Sequence, residues 1–291
     1  MNSAAQIEFA DVDFAYGRTP VLSGFSLALG PGEVVLLAAP NGRGKTTALW
    51  LAAGLLRPDR GTVRVLGRDP FADRGVLAQV GFLAEGSPLP ESWTVAQVLR
   101  FQRDTFGRWS EDDCARLMQR FRLEPKTRVR ELSRGQRGKL GLVSVLSTMP
   151  QALLLDEPLL GLDVVTRRAL TSEILGRVAD TGCPILLTGH EIAEAEPLID
   201  RFVLIASGRV VCDEPVADLL SRHRLLAWES PVPPPPAALS PIMLPWALGR
   251  RALVCEWDAD LARLWLSQGG RCEAADLETV YLALTGELEH A

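Results

Sequence analysis

Lysine is scarce in this chain: of 31 basic residues only Lys45, Lys126 and Lys139 are lysine, an arginine excess we read as codon bias rather than function. Positive charge is not in surplus either. The 36 acidic residues outnumber the basic ones, giving a net charge of −5, which disfavours a dominant nucleic-acid surface while leaving room for a local basic patch. Cysteines are few and unpatterned. Cys114, Cys183, Cys212, Cys255 and Cys272 make an odd count with no C-x-x-C spacing, so a disulfide framework or zinc site is disfavoured and reduced, cytosolic thiols are expected. Long hydrophobic runs are missing. The longest uncharged helical-looking stretch, Leu140 to Leu155, is 16 residues and contains Gly141 and Pro150. A spanning helix needs about 20 apolar residues. Met1 to Ala10 carries Glu8 and no basic start, which excludes a secretory signal there. If the protein works at a membrane, another protein must hold it there.

What is present is ordinary globular material. The 291 residues are 47% apolar and 23% charged, enough for one large domain or one domain with an appendage. Gln6 to Tyr16 alternates with one phase shift near Ala10-Asp11, as in a half-buried strand with a bulge. Gly30-Pro31-Gly32 is a turn, and Val34 to Ala39 is a continuous apolar run expected of a strand buried on both faces. Thr46 to Leu56 reads as a helix and Thr62 to Leu66 as a short strand. Thr94 can cap a helix through Phe106, and Ser110 with Asp113 resembles a capping box before Ala115 to Phe121. Gly135 to Ser147 is a further helix. Ala152 to Leu155, Ile185 to Thr188 and Phe202 to Ile205 are buried-strand runs, with a helix from Thr166 to Asp180 between the first two. Such alternation implies a parallel sheet. Seven prolines between Pro231 and Pro245 read as a linker, followed by a small piece with a strand at Ala252 to Trp257 and helices at Asp260 to Gln268 and Leu277 to Leu284.

Two segments carry chemistry. Ala39-Pro40-Asn41-Gly42-Arg43-Gly44-Lys45-Thr46-Thr47 fits the phosphate-loop pattern G-x-x-x-x-G-K-[ST], except that Ala39 replaces the first glycine and brings a Cβ that restricts the backbone. Backbone N–H groups of such a loop, and of the helix it opens, converge on phosphate oxygens. Lys45 would neutralise the outer phosphates and Thr46 would offer its hydroxyl to Mg²⁺. Leu153 to Leu155 then lead into Asp156-Glu157-Pro158, an acidic pair at a strand end. Asp156 would hold Mg²⁺ through water.

With Leu132-Ser133-Arg134-Gly135-Gln136 upstream of that pair, the chain resembles the ATP-binding cassette (ABC) ATPases over about residues 6–220. The resemblance implies an α/β P-loop core: a mostly parallel sheet with flanking helices, an antiparallel β subdomain, a helical subdomain at about 90–150, and here a small C-terminal α+β appendage. The expected division is a nucleotide-binding domain at 1–225, a proline-rich linker at 226–245 and the appendage at 246–291. By residue, Tyr16 matches the aromatic that stacks on adenine, and Asn41 to Thr47 the Walker A loop. Glu85 sits at the Q-loop position where glutamine is usual, and it matches a contact to Mg²⁺ and nucleotide. Ser133, Gly135 and Gln136 match the signature, Asp156 the Walker B carboxylate, and Glu157 the catalytic base. Leu160 to Asp163 resembles the D-loop, with Leu160 where serine is common, and His190 matches the switch histidine. Arg134, Arg137 and Lys139 read as a solvated helix face.

The resemblance also implies cofactors and partners. ATP with Mg²⁺ would lie between the Walker A loop of one subunit and the signature of a second ABC ATPase subunit, an identical copy or a paralogue. A separate transmembrane permease would hold the pair at the inner face of the cell membrane, with no nucleic acid involved. The groove receiving the permease's short helix is expected along Glu85 to Trp93 and Val95 to Phe106, with Leu89, Glu91 and Trp93 as contacts, though Trp93 reads equally well as core. Asp276 to Gly286 is similar to the closing segment of ABC-2-type, YtrB-like exporter subunits, and Gly107 to Glu111 to a segment of the same group. The stripe Leu277, Val280, Tyr281, Leu284 also fits any amphipathic helix. A soluble ABC ATPase outside transport, a weakly hydrolysing ATP-dependent interaction module and an importer subunit are the competing readings.

Overall fold

The computed structural model describes residues 5–40, 42–86, 89–229, 232, 234–235, 237–239, 241–244, 250–255 and 259–286, with backbone alone at 238, 259, 261 and 264. Two compact units divide it: residues 1–191 with 197–212, and residues 192–196 with 213–291.

The first unit opens with β1 (Ile7–Tyr16) and β2 (Thr19–Leu29), an antiparallel hairpin whose register slips between Phe9 and Val12, where Asp11 takes φ 47°. The bulge lies where the alternation changed phase. The sequence reading missed β2. Its buried positions Leu22, Phe25, Leu27 and Leu29 change phase at Gly24 (φ 66°), which hides the alternation. β3 (Val34–Ala38) enters the central sheet and leads into α1 (Lys45–Ala52). β4 (Arg60–Val65) then pairs with β1, completing a three-stranded antiparallel sheet. After α2 (Arg74–Leu77) and β5 (Val80–Leu83) come α3 (Val95–Thr105), α4 (Glu111–Arg120) and α5 (Arg134–Leu146). Each of these three helices starts on a hydroxyl that accepts an amide proton: Thr94 from Gln97, Ser110 from Asp113 and Ser133 from Gln136. α5 packs against both α3 and α4.

The chain returns through β6 (Ala152–Leu155), α6 (Val164–Thr181) and β7 (Ile185–Thr188), and after the short α7 (Ile192–Ala195) through β8 (Arg201–Ala206) and β9 (Arg209–Pro215). The six-stranded sheet has the order β5-β6-β7-β3-β8-β9. Its pairs β5–β6, β6–β7, β7–β3 and β3–β8 are parallel. β3, β6 and β7 are buried at every position, which is why their sequences are apolar runs rather than alternations. In register, Leu83 faces Leu155, Leu155 faces Leu187, and Leu37 faces Thr188. Four adjacent strands therefore end level, and the loops leaving them share one edge of the sheet. The core of this unit joins the two sheets through Phe9, Phe25, Leu37, Leu49 and Leu154.

The second unit continues from the end of β9 into α8 (Val216–Arg222) and β10 (His223–Trp228), then β11 (Ile242–Met243), β12 (Arg250–Cys255), α9 (Ala259–Ser267), β13 (Arg271–Ala274) and α10 (Leu277–Thr285). Its antiparallel sheet has the order β11-β12-β10-β13. Trp228 and Trp265 meet edge to face at 6.2 Å in a core with Leu226, Leu239, Ala252, Val254 and Ala262. β10 precedes the proline-rich stretch in sequence, yet it hydrogen-bonds β12 and β13 on the far side of it. Leu226 and Trp228, within the segment read as linker, are buried core residues. The end of the strand expected to reach Trp257 lies outside the described residues.

Candidate functional site

The loop after β3 is shaped by its glycines. Gly44, the N-cap of α1, has φ 100°, and a Cβ there would sit 2.9 Å from Leu22 Cδ2. Gly42 also lies in the left-handed region, at φ 73°. Ala39 does not take a positive φ and is buried, so its Cβ imposes no strain and the missing first glycine is not needed in this geometry. The Ala39 carbonyl accepts a hydrogen bond from Lys45 Nζ at 2.7 Å, folding the buried lysine back along its own loop. Thr47 is buried and Arg43 exposed. Asn41 lies outside the described residues.

The ends of β6 and β7 form one network. Asp156, buried, accepts from the Thr46 hydroxyl at 3.2 Å and from the Thr188 hydroxyl at 2.6 Å, both on Oδ1. Thr188 in turn accepts the Glu157 amide at 3.1 Å. Glu157 has φ 51°, a left-handed conformation that costs a non-glycine residue of order 1 kcal/mol and marks functional turns. Its carboxylate is held from the β7 side: His190 Nδ1 lies 2.9 Å from Oε2, and the His190 amide donates to the same oxygen at 3.3 Å. The Glu157 side chain is only 10% exposed against 46% for His190, so the imidazole shields the carboxylate. The structure thus joins Thr46, Asp156, Glu157 and His190, each singled out from sequence. It adds Thr188, whose signal was a threonine ending an otherwise apolar buried strand.

Beyond this network a cavity of about 220 Å³ is lined by Leu83, Glu85, Arg134, Arg137, Asp156, Glu157 and Leu160, among others. Glu85 is exposed and points to Arg134, with Oε1 3.6 Å from Nη2. Ser133 and Gln136 form a reciprocal capping box at the start of α5, Gln136 N donating at 3.2 Å and Ser133 N at 2.9 Å. Gly135 is required by proximity, since a Cβ there would lie 2.8 Å from the Gly161 carbonyl. Asp163 caps α6, accepting from the Thr166 amide at 2.8 Å and the Thr166 hydroxyl at 2.7 Å, and it pairs with Lys139 at 3.2 Å. These contacts, the Thr166 amide foremost, hold its carboxyl well below the ordinary range. Asp163 is absent from the cavity lining. So is Tyr16, half exposed at the end of β1 with its ring edge-on to Phe14 at 5.0 Å. Of the basic residues of α5, Arg134 is solvated as expected and Lys139 is mostly covered, and Arg134, Arg137 and Lys139 each face an acid from another segment.

The donor set suits Mg²⁺ shared with a phosphate. Among the described residues no cluster of three or more His, Cys, Asp or Glu forms a protein-only metal cage. The Asp156 carboxylate and Thr46 hydroxyl instead offer two hard oxygens beside a phosphate loop, and Mg²⁺ favours such sites with its remaining ligands from water and phosphate.

A glycine loop between a buried strand and a helix, with a carboxylate ending the next strand but one, defines a P-loop nucleotide-binding protein of the α/β class. The family model "ABC transporter" matches residues 22–160. Nod factor export ATP-binding protein I of Paraburkholderia xenovorans is 33% identical over 301 residues, covering 97% of both chains. Molybdenum import ATP-binding protein ModC of Mycobacterium tuberculosis is 36% identical over 208 residues, covering 66% of this chain and 56% of its own. A solved structure described as the ATP binding subunit of an ABC transporter superposes with TM-score 0.69 at 29% identity, covering 74% of this chain and 92% of its own. The chain belongs to the ABC transporter family, as an ATP-binding subunit. Among the described residues no helix is long and apolar enough to cross a membrane.

Proposed function

We propose that this chain binds and hydrolyses ATP with Mg²⁺, pairs with a second ABC ATPase subunit, and drives a separate membrane permease, in an exporter of the ABC-2 type. The observation that carries the catalytic reading is the continuous network Thr46–Asp156–Thr188–Glu157–His190 beside the phosphate loop. The export reading is supported by similarity to Nod factor export proteins along the whole chain, second unit included, whereas the importer relative covers 66% of it.

In this reading Lys45 and the loop amides bind the phosphates. Asp156 and the Thr46 hydroxyl would hold Mg²⁺, which when bound neutralises charge on the outer phosphates. Glu157 is the group placed to orient and deprotonate the attacking water. Its left-handed backbone and its two contacts from His190 fix the carboxylate before substrate arrives, so little reorganisation is left for the reaction. Tyr16 would stack on the base. Ser133, Gly135 and Gln136 would meet nucleotide bound by the second subunit, with Asp163 setting the turn before α6.

The permease surface is better supported elsewhere than along Glu85 to Trp93. Trp93 packs edge-on to Phe101 at 5.4 Å, and Glu91 lies 3.9 Å from Arg137. A mostly apolar groove of about 210 Å³ instead runs between Ala53, Leu55, Leu77, Val80, Phe82, Phe106 and Val145. Of the expected stretch, Gln102 and Phe106 line it. We assign the permease helix to this groove. The test of the whole reading is reconstitution with any multi-helix membrane protein that a neighbouring gene proves to encode. ATP-dependent efflux from vesicles is expected, and it should vanish with Glu157→Gln. ATP hydrolysis that ignores every membrane partner would favour a soluble ATPase.

A further inference from the structure

The start of α5 carries charge of the wrong sign for a helix. N-terminal turns favour acids, because the unpaired amides there carry partial positive charge. α5 has no acid in its first turn and places Arg134, Arg137 and Lys139 within its first six residues. Helix stability therefore does not explain them. Each basic group instead meets an acid from a different part of the site: Arg134 meets Glu85 at 3.6 Å, Arg137 meets Glu91 at 3.9 Å, and Lys139 meets Asp163 at 3.2 Å. Two of these acids follow β5 and the third begins α6. The Arg134 side chain crosses the Gly161 turn on its way, since a Cβ on Gly161 would lie 3.8 Å from Arg134 Cδ.

We propose that Arg134, Arg137 and Lys139 are positioning residues, a three-point charge clasp that sets where Ser133 and Gly135 stand relative to Glu85 and Glu157 within one subunit. The inference rests on the ATPase reading for its consequence but not for its geometry. Arg134, Arg137 and Glu85 line the cavity that Glu157 and Asp156 also line, so this part of the clasp bears on the separation between the α5 terminus and the reacting centre. The Arg134–Glu85 pair is exposed on both sides, at 68% and 51%, and the other two pairs are exposed on the acidic side. Exposed pairs are individually weak and screened by salt, so the clasp holds by number and opens without unfolding. Glu85 is where the chain departs from the motif it resembles: the glutamine usual at that position forms no ion pair with a guanidinium.

The test is a charge-reversal cycle on the full chain: Glu85→Arg, Arg134→Glu and both together. Amide hydrogen exchange of residues 134–140 is followed without nucleotide or Mg²⁺, and ATP hydrolysis separately. Each single variant should speed exchange, and Arg134→Glu should lower kcat with KM for ATP nearly unchanged, because the phosphate loop and Glu85 are untouched. The double variant should recover the exchange rate, with a coupling of roughly 2- to 5-fold, the range of exposed ion pairs. Raising NaCl toward 1 M should speed exchange in the wild-type chain. Exchange in the double variant equal to the product of the single effects, or salt-independent wild-type exchange, would overturn the clasp. A wild-type chain that hydrolyses no ATP would instead overturn the ATPase reading, and the exchange measurement would still decide the clasp. Should Arg134→Glu fail to fold, Lys139→Gln and the salt series give the same decision.

Discussion

Thr188 and Asp156, 32 residues apart, share a hydrogen bond of 2.6 Å in which the threonine hydroxyl donates to the carboxylate oxygen that Thr46 also reaches. The same hydroxyl accepts the Glu157 amide. One side chain thereby orients the carboxylate we propose for Mg²⁺ and anchors the left-handed turn bearing the proposed base. Thr188→Val should cost about 1–3 kcal/mol, the usual penalty for leaving buried polar partners unmatched. It should also slow hydrolysis more than it weakens ATP binding. Denaturant unfolding alongside steady-state kinetics measures both, and unchanged turnover would remove Thr188 from the site.

Glu157→Gln should retain nucleotide binding and lose roughly 10²- to 10⁴-fold in turnover, the range for a positioned general base. His190→Ala should lower turnover too, because the Glu157 carboxylate loses the ring contact at 2.9 Å. Lys45→Ala should act earlier, on nucleotide affinity itself. Equilibrium nucleotide binding and single-turnover hydrolysis separate the three. Hydrolysis near the wild-type rate in Glu157→Gln would refute the base assignment.

Pairing of two subunits can be read from mixed variants. If the α5 terminus serves nucleotide bound by a partner copy, Ser133→Arg should abolish ATP-dependent dimerisation in the catalytically slow Glu157→Gln background. Mixing Lys45→Ala with Ser133→Arg chains should leave one undamaged site per mixed pair. Light scattering with and without ATP is the measurement. Dimerisation indifferent to Ser133→Arg would count against a shared site.

The groove gives a cleaner surface test than the ATP site does. Leu55 is 59% exposed, so Leu55→Glu should shift stability by no more than about 0.5 kcal/mol. Co-purification with the membrane subunit should nevertheless fall sharply while ATP affinity of the isolated chain holds. Retained co-purification would move the docking surface elsewhere.

Thiol chemistry provides a check that is independent of function. Burial pushes the Cys183 thiol up to about 12 and also raises that of Cys114, while Cys255 is exposed. Alkylation of the native chain at pH 8 should modify Cys255 well before Cys114 or Cys183. An unfolded thiol ionises from about pH 8.5, so the folded state binds the extra proton above that value. The Cys183 contribution to stability is thus full below about pH 8.5 and declines as pH rises toward 12. Mass spectrometry of labelled peptides reads the first expectation, and unfolding at pH 7 and 10 the second.

The end of the sheet that carries the candidate site was legible because its chemistry is local. A lysine after glycines and an acidic pair after three leucines can be recognised without knowing what lies beside them. Relations across the sheet were not legible. Thr188 matters because β7 lies between β6 and β3, and that order is not written in either segment. Lys139 looked solvated because Asp163, which pairs with it, is distant in sequence. The concern over Ala39 was a rule about glycine applied where the backbone does not take a positive φ. β2 and β10 escaped for separate reasons: a glycine broke the alternation of one, and the other's partners lie beyond a stretch of prolines.

That position of β10 imposes an order on synthesis. His223–Trp228 leaves the ribosome before Arg250–Cys255 and well before Arg271–Ala274, the two strands that flank it. At about 5–20 residues per second, the wait until its second neighbour is complete is roughly 2–9 s. For roughly the first 1–5 s of that interval, until β12 is complete, β10 has both edges unpaired and Leu226 and Trp228 without their core. A nascent chain stalled at the prolines would keep it so indefinitely, offering any passing strand the hydrogen bonds meant for its own tail.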